Sequence, residues 1–441
     1  MRLFHPRIAF FILLFCLPLL FLPKINLIRI DQETMTGIRV DDFFLFAFAL
    51  LLAWAHFSIR KGLLPIESWI VAITCFSLFS WVINRGLVTM QVLYAPASLF
   101  HCVRLIEYFL FFYIGLLAAR AFRERTVVAL FFSWNFLLMI LQRLGIVGEF
   151  SSIHGYLAES TYRVSGIASF PSEMGALLSM LFCYFLWAPL PLGEIQSRVS
   201  FFKEKNSFWK SIRPYLLFLL FLVLIVITGS RIAVAALFFS FIYFLIGQTK
   251  RRSILSIVAL AGTLSIALIA AVLLALQTDS IAVRSQGLLS WKNIELVQNV
   301  WEYTNISTSP DALSRVEYGE YDMSWWIRIH KWCYALKAYL LNPECYLQGL
   351  GPGAMGMALD GGWLRIVVEN GWIGAFFYWK LFSTIVQQSQ ALKWIVIAFL
   401  INMIFFDIYL AYKPMSLLLL LSGYEYSSKL LNPRIRDAVV A

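Results

Sequence analysis

Three arginines carry the clearest chemistry in this sequence. Arg231 stands in VITGSRIAVAALFF (226–239), a permanently charged guanidinium between two long apolar runs. A charge placed there is costly, and so is a functional candidate by default. Gly229 and Ser230 before it allow a turn and offer donors, and no carboxylate lies three or four residues away to neutralise it. Two chemistries stay open: snorkelling to lipid headgroups, or recognition of a phosphate by a planar fork of N–H groups. Arg328 in SWWIRIHKWCYALKAYLL (324–341) and Arg163 in YRVSGIASFPSEMG (162–175) are the other two. Converging on one spot, the three would hold a doubly charged diphosphate without a metal. No Asp-x-Asp, no histidine pair at i, i+4 and no Cys/His cluster offers a metal its ligands, so neither metal nor cofactor is expected.

For proton transfer the first candidate is Asp360, which opens DGGWLRIVVENGWIGAFF (360–377). Its place before an apolar run suits a helix N-cap, its glycine neighbours suit a general base, and the two roles are compatible. His330 ranks second, because its two-residue offset from Arg328 turns it to another helical face. Glu369 ranks third, since Arg365 four residues earlier can pair with it, as Arg104 can with Glu107. Asp407 is placed near the outer end of its helix, where it could face solvent. Asp41-Asp42 opens a helix and reads as a cap. The glycine-rich GLGPGAMG (349–356) lacks the preceding strand and the Lys-Ser/Thr ending of a nucleotide loop, and reads as a turn returning the chain to the membrane.

The elements that must position these groups are apolar helices. The 441 residues are 60% hydrophobic and only 14% charged, and the mean hydropathy is +0.76, which a soluble domain of this size does not tolerate. A hydrocarbon core of about 30 Å takes roughly 20 apolar residues per crossing. Runs of about that length fall near 8–23, 41–58, 66–84, 100–120, 126–146, 170–190, 212–228, 231–248, 253–276, 363–383, 393–411 and 414–428. The expectation is an all-α, polytopic transmembrane helical bundle of about twelve spans. Its parts are an N-terminal bundle of about nine helices (1–276), one large outer loop containing amphipathic helices (277–361), and C-terminal helices with a tail (362–441). The first span has the basic start of a signal peptide but no small-x-small cleavage site, and is read as retained.

Basic stretches at 60–62, 120–125, 203–213 and 250–252 share a side with Arg2 and Arg7, which places both termini in the cytoplasm. The net charge of +11 is then topological, and nucleic acid is not implied. The outer loop is rich in Trp and Tyr, which suit sugar rings or an interfacial belt equally. Within it, 324–341 is read as an amphipathic helix near the membrane and 311–322 as a solvated acidic linker. Cys333 and Cys345 share that loop, where an oxidising compartment could join them.

Taken in order, RVSGIASFPSEMGALL, TGSRIAVAALFF, RIHKWCYAL, NPECYLQGLGPG and DGGWLRIVVENGWIG resemble the bacterial O-antigen polymerase and O-antigen ligase superfamily, over about half the chain. That resemblance implies an integral membrane glycosyltransferase of the bacterial inner membrane, metal-independent and inverting, with its active site facing the periplasm. The donor would be an undecaprenyl-diphosphate-linked oligosaccharide, and a flippase and a chain-length regulator of the same pathway would be partners beside membrane lipid. Arg231 and Arg328 would hold the diphosphate. Ligases of the group carry a histidine where DGGWL has Asp360, which points to a polymerase of O-antigen or exopolysaccharide. Ligation to lipid A core or to protein, and a flippase for the same lipid-linked sugar, are the alternatives.

Overall fold

The computed structural model describes residues 17–23, 26–29, 37–39, 42–45, 47–48, 63–86, 98–151, 155–157, 163–188, 206–249, 262, 292–306, 323–356 and 358–431. The expected span 253–276 (Gly262 apart), most of 8–23 and 41–58, the linker 311–322 and the side chain of Arg104 lie outside these.

The chain is mostly helical. After the short α1 (Pro18–Phe21) and a hairpin of β1 (Asn26–Arg29) and β2 (Gly37–Arg39) come α2 (Pro65–Gly86), α3 (Ser98–Ala121) and α4 (Glu124–Arg143). A second hairpin, β3 (Glu149–Ser151) and β4 (Gly155–Leu157), precedes α5 (Pro171–Trp187), α6 (Asn206–Thr228) and α7 (Arg231–Thr249). Then follow α8 (Lys292–Tyr303), α9 (Met323–Leu340), α10 (Gly362–Val386), α11 (Gln390–Asn402) and α12 (Tyr412–Leu431). The two hairpins are additions to the all-α expectation.

Only two helical stretches, Pro65–Asn84 and Glu124–Arg143, are long and apolar enough to cross a membrane among the described residues. Shorter apolar helical stretches among the described residues are Ile106–Ala119 of α3, Ile212–Thr228 of α6, Arg231–Ile246 of α7 and Gln390–Asn402 of α11. In α10 the run is broken by Arg365, Glu369 and a non-helical Gly371.

The chain divides into two compact units that interleave along the sequence. One unit comprises 1–121, 282–385 and 403–441. Here α3 and α12 pack so closely that a Cβ on Gly115 would lie 2.1 Å from the carbonyl oxygen of Leu420, and one on Gly423 2.1 Å from that of Phe112. Small residues at such a crossing let backbones touch where apolar area alone offers no preference over lipid. The outer helices belong to this unit: Leu296 and Val300 of α8 bury against Ile329 and Cys333 of α9, with Trp325, Trp326 and Trp332 around them. Those indoles therefore serve first as a small core. The other face of α9, through Tyr334, Ala335 and Ala338, packs on Leu350, Met355 and Leu359.

The second unit comprises 122–281 and 386–402, with α5 at its centre against α6, α7 and α11. Its core is aromatic: Phe182, Phe218, Phe221 and Phe241 are fully buried, and Phe218 stacks on Phe241 with ring centroids 4.2 Å apart. Asn402 of α11 donates from Nδ2 to Ser179 Oγ of α5 at 3.0 Å, which fixes the axial register of two otherwise apolar helices.

Candidate functional site

Asp360 sits at the junction of the outer helices with α10, and its backbone is in the left-handed region at φ 54. Among the described residues it is the one non-glycine residue with positive φ, a conformation that persists where the surroundings over-determine it. Gly361, which accepts from Arg365 N, opens α10 in its place, so the expected N-cap role is corrected. The carboxylate turns instead to Arg328 of α9, with Nε and Oδ2 3.5 Å apart and both side chains partly exposed. Trp332 Nε1 donates to the Asp360 carbonyl at 3.3 Å, and Lys331 Nζ donates to Ala358 O. Burial raises the Asp360 pKa above the usual 3.8; Arg328 opposes that, and Asp407 adds to it. The arrangement can accept a proton near neutrality better than an ordinary aspartate.

His330 is buried with Nδ1 2.8 Å from the carbonyl of Trp326, so Nδ1 carries the proton and Nε2 keeps its lone pair. Nε2 is buried without a hydrogen-bond partner, and burial lowers the ring's pKa below 6.5, so the imidazole is neutral.

Glu369 is committed elsewhere. Arg365, fully buried, binds Glu369 Oε1 from Nε at 3.0 Å, Asp407 Oδ2 from Nη1 at 2.8 Å and Gly356 O from Nη2 at 2.7 Å. Glu369 Oε1 also accepts from Met355 N. Asp407 is not solvent-facing: it is buried, and it accepts from the N–H groups of Leu359 at 2.7 Å and Gly361 at 3.0 Å, on either side of Asp360. The network anchors the backbone that presents Asp360. Sequence reasoning missed this role, although a lone carboxylate in an apolar run was the same kind of signal that singled out Arg231.

The glycine-rich loop is also more than a turn. At Gly371 (φ 63, ψ −173) α10 breaks, and the loop fills the gap. Leu350 N and Gly351 N donate to the carbonyls of Val368 and Glu369, while Trp372 N and Ile373 N donate to those of Tyr346 and Leu347. From α2, Ser80 Oγ donates to Gln348 O at 2.7 Å and Asn84 Nδ2 to Gly349 O at 2.8 Å. Every backbone group named here is satisfied by protein, as a buried irregular segment requires. Cys333 and Cys345 are buried thiols rather than a disulfide, each raised to about 11 by burial, and Cys345 Sγ donates to Asn84 Oδ1 at 3.7 Å.

In the other unit, Arg163 clasps the turn that carries Arg231. Its Nε donates to Thr228 O at 2.9 Å, and its Nη2 lies 3.5 Å from Gly229 O and 3.4 Å from Ser172 Oγ. Gly229 at φ 66 permits the approach, since a Cβ there would lie 2.9 Å from Arg163 Nε. Ser172 belongs to the first turn of α5 and Arg231 opens α7, so the Arg163 guanidinium reaches the first turn of α5 and the turn that precedes α7. Gly175 of α5 lets Ser230 in close, and Ser230 Oγ and Ser165 Oγ are buried without hydrogen-bond partners. Helix N-termini, hydroxyl donors and arginines together are the elements of an anion site. Gln142 and Asn135 of α4 hold the approach to α5, bonding Gly166 N at 2.8 Å and Ile167 N at 3.4 Å.

No protein-family model and no curated protein matches this chain.

The expected residues thus fall into two groups, Arg163 with Arg231 and Arg328 with Asp360, and each group is assembled by contacts that join distant sequence segments. Among the described residues, no three His, Cys, Asp or Glu side chains gather where they could hold a metal ion.

Proposed function

We propose that this chain is a polytopic glycosyltransferase of about twelve spans in the bacterial inner membrane, with both termini cytoplasmic and its active site facing the periplasm. It transfers a glycan from an undecaprenyl-diphosphate donor to a hydroxyl of a lipid-linked repeat unit. The observation that carries this reading is the clasp of Arg163 on the Thr228–Gly229 turn, which joins two arginines to the N-termini of α5 and α7. Such a site suits a multiply charged phosphate and needs no metal to neutralise it.

In this reading Arg231, Arg328 and Arg163 are the residues that bind the diphosphate. Asp360 takes the proton of the acceptor hydroxyl, whose oxygen attacks the anomeric carbon while the bond to the diphosphate breaks with inversion. The departing charge then rests on fixed cations, the electrostatic term that contributes most in such transfers. His330 and Glu369 remain secondary candidates for the base, the first by its free Nε2, the second weakened by its bond to Arg365.

The test is direct. Purified protein given lipid-linked repeat units yields a ladder of products, and Arg231→Ala abolishes it; a full ladder from that variant removes the role assigned to Arg231. Radiolabel appearing on lipid A core or protein without chain lengthening would instead make the enzyme a ligase.

One observation favours a second reading, a flippase for the same lipid-linked sugar: helices broken as α10 is at Gly371 line transport sites in many carriers. Here the loop 346–351 takes up backbone groups that such a site would offer a substrate. Flipping in liposomes without glycosidic bond formation would reverse the preference.

A further inference from the structure

A second cationic site, remote in sequence from the motifs above, lies within the unit of 122–281 and 386–402. Arg213, near the start of α6, reaches the last turn of α5 and donates from Nη2 to Phe185 O at 2.5 Å. A basic group at a helix C-terminus is favourable there, and this contact alone reads as a cap. Two further observations do not fit a cap. Arg213 Nε is buried and meets no acceptor. Arg125, in the first turn of α4, belongs to the same end of the unit: about two turns along α4 from it, Phe132 packs on Phe185 of α5 and on Phe221, which lies about two turns along α6 from Arg213, with ring centroids 5.5 and 5.1 Å apart. The charge of Arg125 disfavours that of Arg213, and neither guanidinium has a carboxylate partner among the described residues. Two partly buried cations at one end of a helix cluster are unfavourable unless an anion joins them.

The depth of the pair says which kind of anion. Phe185 lies two residues before Trp187, the last residue of α5, and Trp187 stacks on Trp394 with ring centroids 5.4 Å apart. Tyr243 lies 4.3 Å from Trp394 and is exposed, so a cluster of amphipathic rings marks this end of the unit. Such rings settle at the headgroup level of a membrane. The flanking Arg123 and the basic stretch before α6 put this end on the cytoplasmic side.

We infer that Arg213 and Arg125 form a binding site for a phosphate-bearing anion at the inner membrane surface, filled by the phosphodiester of an anionic lipid or by free phosphate. The inference rests on the membrane reading of the helices and is independent of glycosyl transfer.

The test uses the full chain extracted from vesicles of phosphatidylcholine with phosphatidylglycerol, with bound lipid counted by native mass spectrometry. The expected result is preferential retention of phosphatidylglycerol, weakened about tenfold in Arg125→Gln and in Arg213→Gln, as loss of one charge-assisted contact implies. Arg125→Gln is the decisive variant, because the contact that ties Arg213 to α5 stays in place. Retention that inorganic phosphate does not displace assigns the site to a lipid, and displacement assigns it to the free anion. Equal retention of both lipids together with no phosphate binding, or unchanged retention in Arg125→Gln, overturns the proposal. Since the ladder assay reads transfer and this one reads lipid, failure of either leaves the other interpretable.

Discussion

At the scale of single residues, the pairing of Arg328 with Asp360 makes a signed prediction about pH. A general base must be deprotonated to work, and burial holds the Asp360 pKa above 3.8 while Arg328 pulls it down. The acid limb of kcat/KM for transfer is therefore expected above 3.8, and Arg328→Gln should move it further up, because the cation that most strongly holds the carboxyl down is gone. The same shift enters stability with the opposite sense to a salt-bridged aspartate. A carboxyl whose folded pKa is raised favours folding below its unfolded pKa and loses that contribution as pH rises through the folded value. Asp360→Asn should consequently fold at least as well as the parent at neutral pH while losing transfer by about 10²–10⁴-fold. If it keeps full activity and His330→Gln does not, the proton goes to Nε2 of His330 instead.

Elements, rather than residues, decide whether that geometry exists at all. The helix break at Gly371 depends on a conformation that only glycine adopts freely, and a Cβ there would lie 2.2 Å from Leu347 O. Gly371→Ala should destabilise the protein by about 1–3 kcal/mol or more, seen as a lower thermal midpoint in detergent. Arg365→Met should cost about 3–5 kcal/mol, because two buried carboxylates are left facing each other without their cation. An equal midpoint for Arg365→Met and parent would mean that the network holds no backbone in place. Apolar periodicity made nearly all the described helices legible in the sequence, and the i, i+4 spacing made the Arg365–Glu369 pair legible. Asp407, 42 residues from Arg365, and Asn84, 265 residues from Gly349, were not legible, since nothing local marks a contact that only the packed chain creates. The glycine loop misled for a related reason. A string of glycines announces a turn, but whether it lies in solvent or inside a broken helix depends on the partner strand of backbone it meets.

The basic residues are unevenly spread along the chain, and the proposed orientation rests on that spread. In the sequence Arg60, Lys61, Arg123, Arg125, Lys210, Arg213 and Arg251 flank apolar runs at one set of ends, whereas Arg163 and Arg231 flank them at the other. In the orientation proposed from the positive-inside rule, the first set would be cytoplasmic and the segments carrying Arg163, Arg231, Arg328 and Asp360 periplasmic. Among the described residues two helical stretches meet the length and apolarity of a span on their own, and a topology measurement tests the proposed orientation of the rest. It can be read without any substrate. Reporter fusions ending at residue 124, 208 or 251 should give cytoplasmic signals, and fusions ending at 154 or 304 periplasmic ones. A periplasmic signal at 208 together with a cytoplasmic one at 154 would invert the bundle. Arg231 and Arg163 would then face the cytoplasm, where nucleotide-linked rather than lipid-linked donors are made, and the anion site they form would have to be matched to a different phosphate.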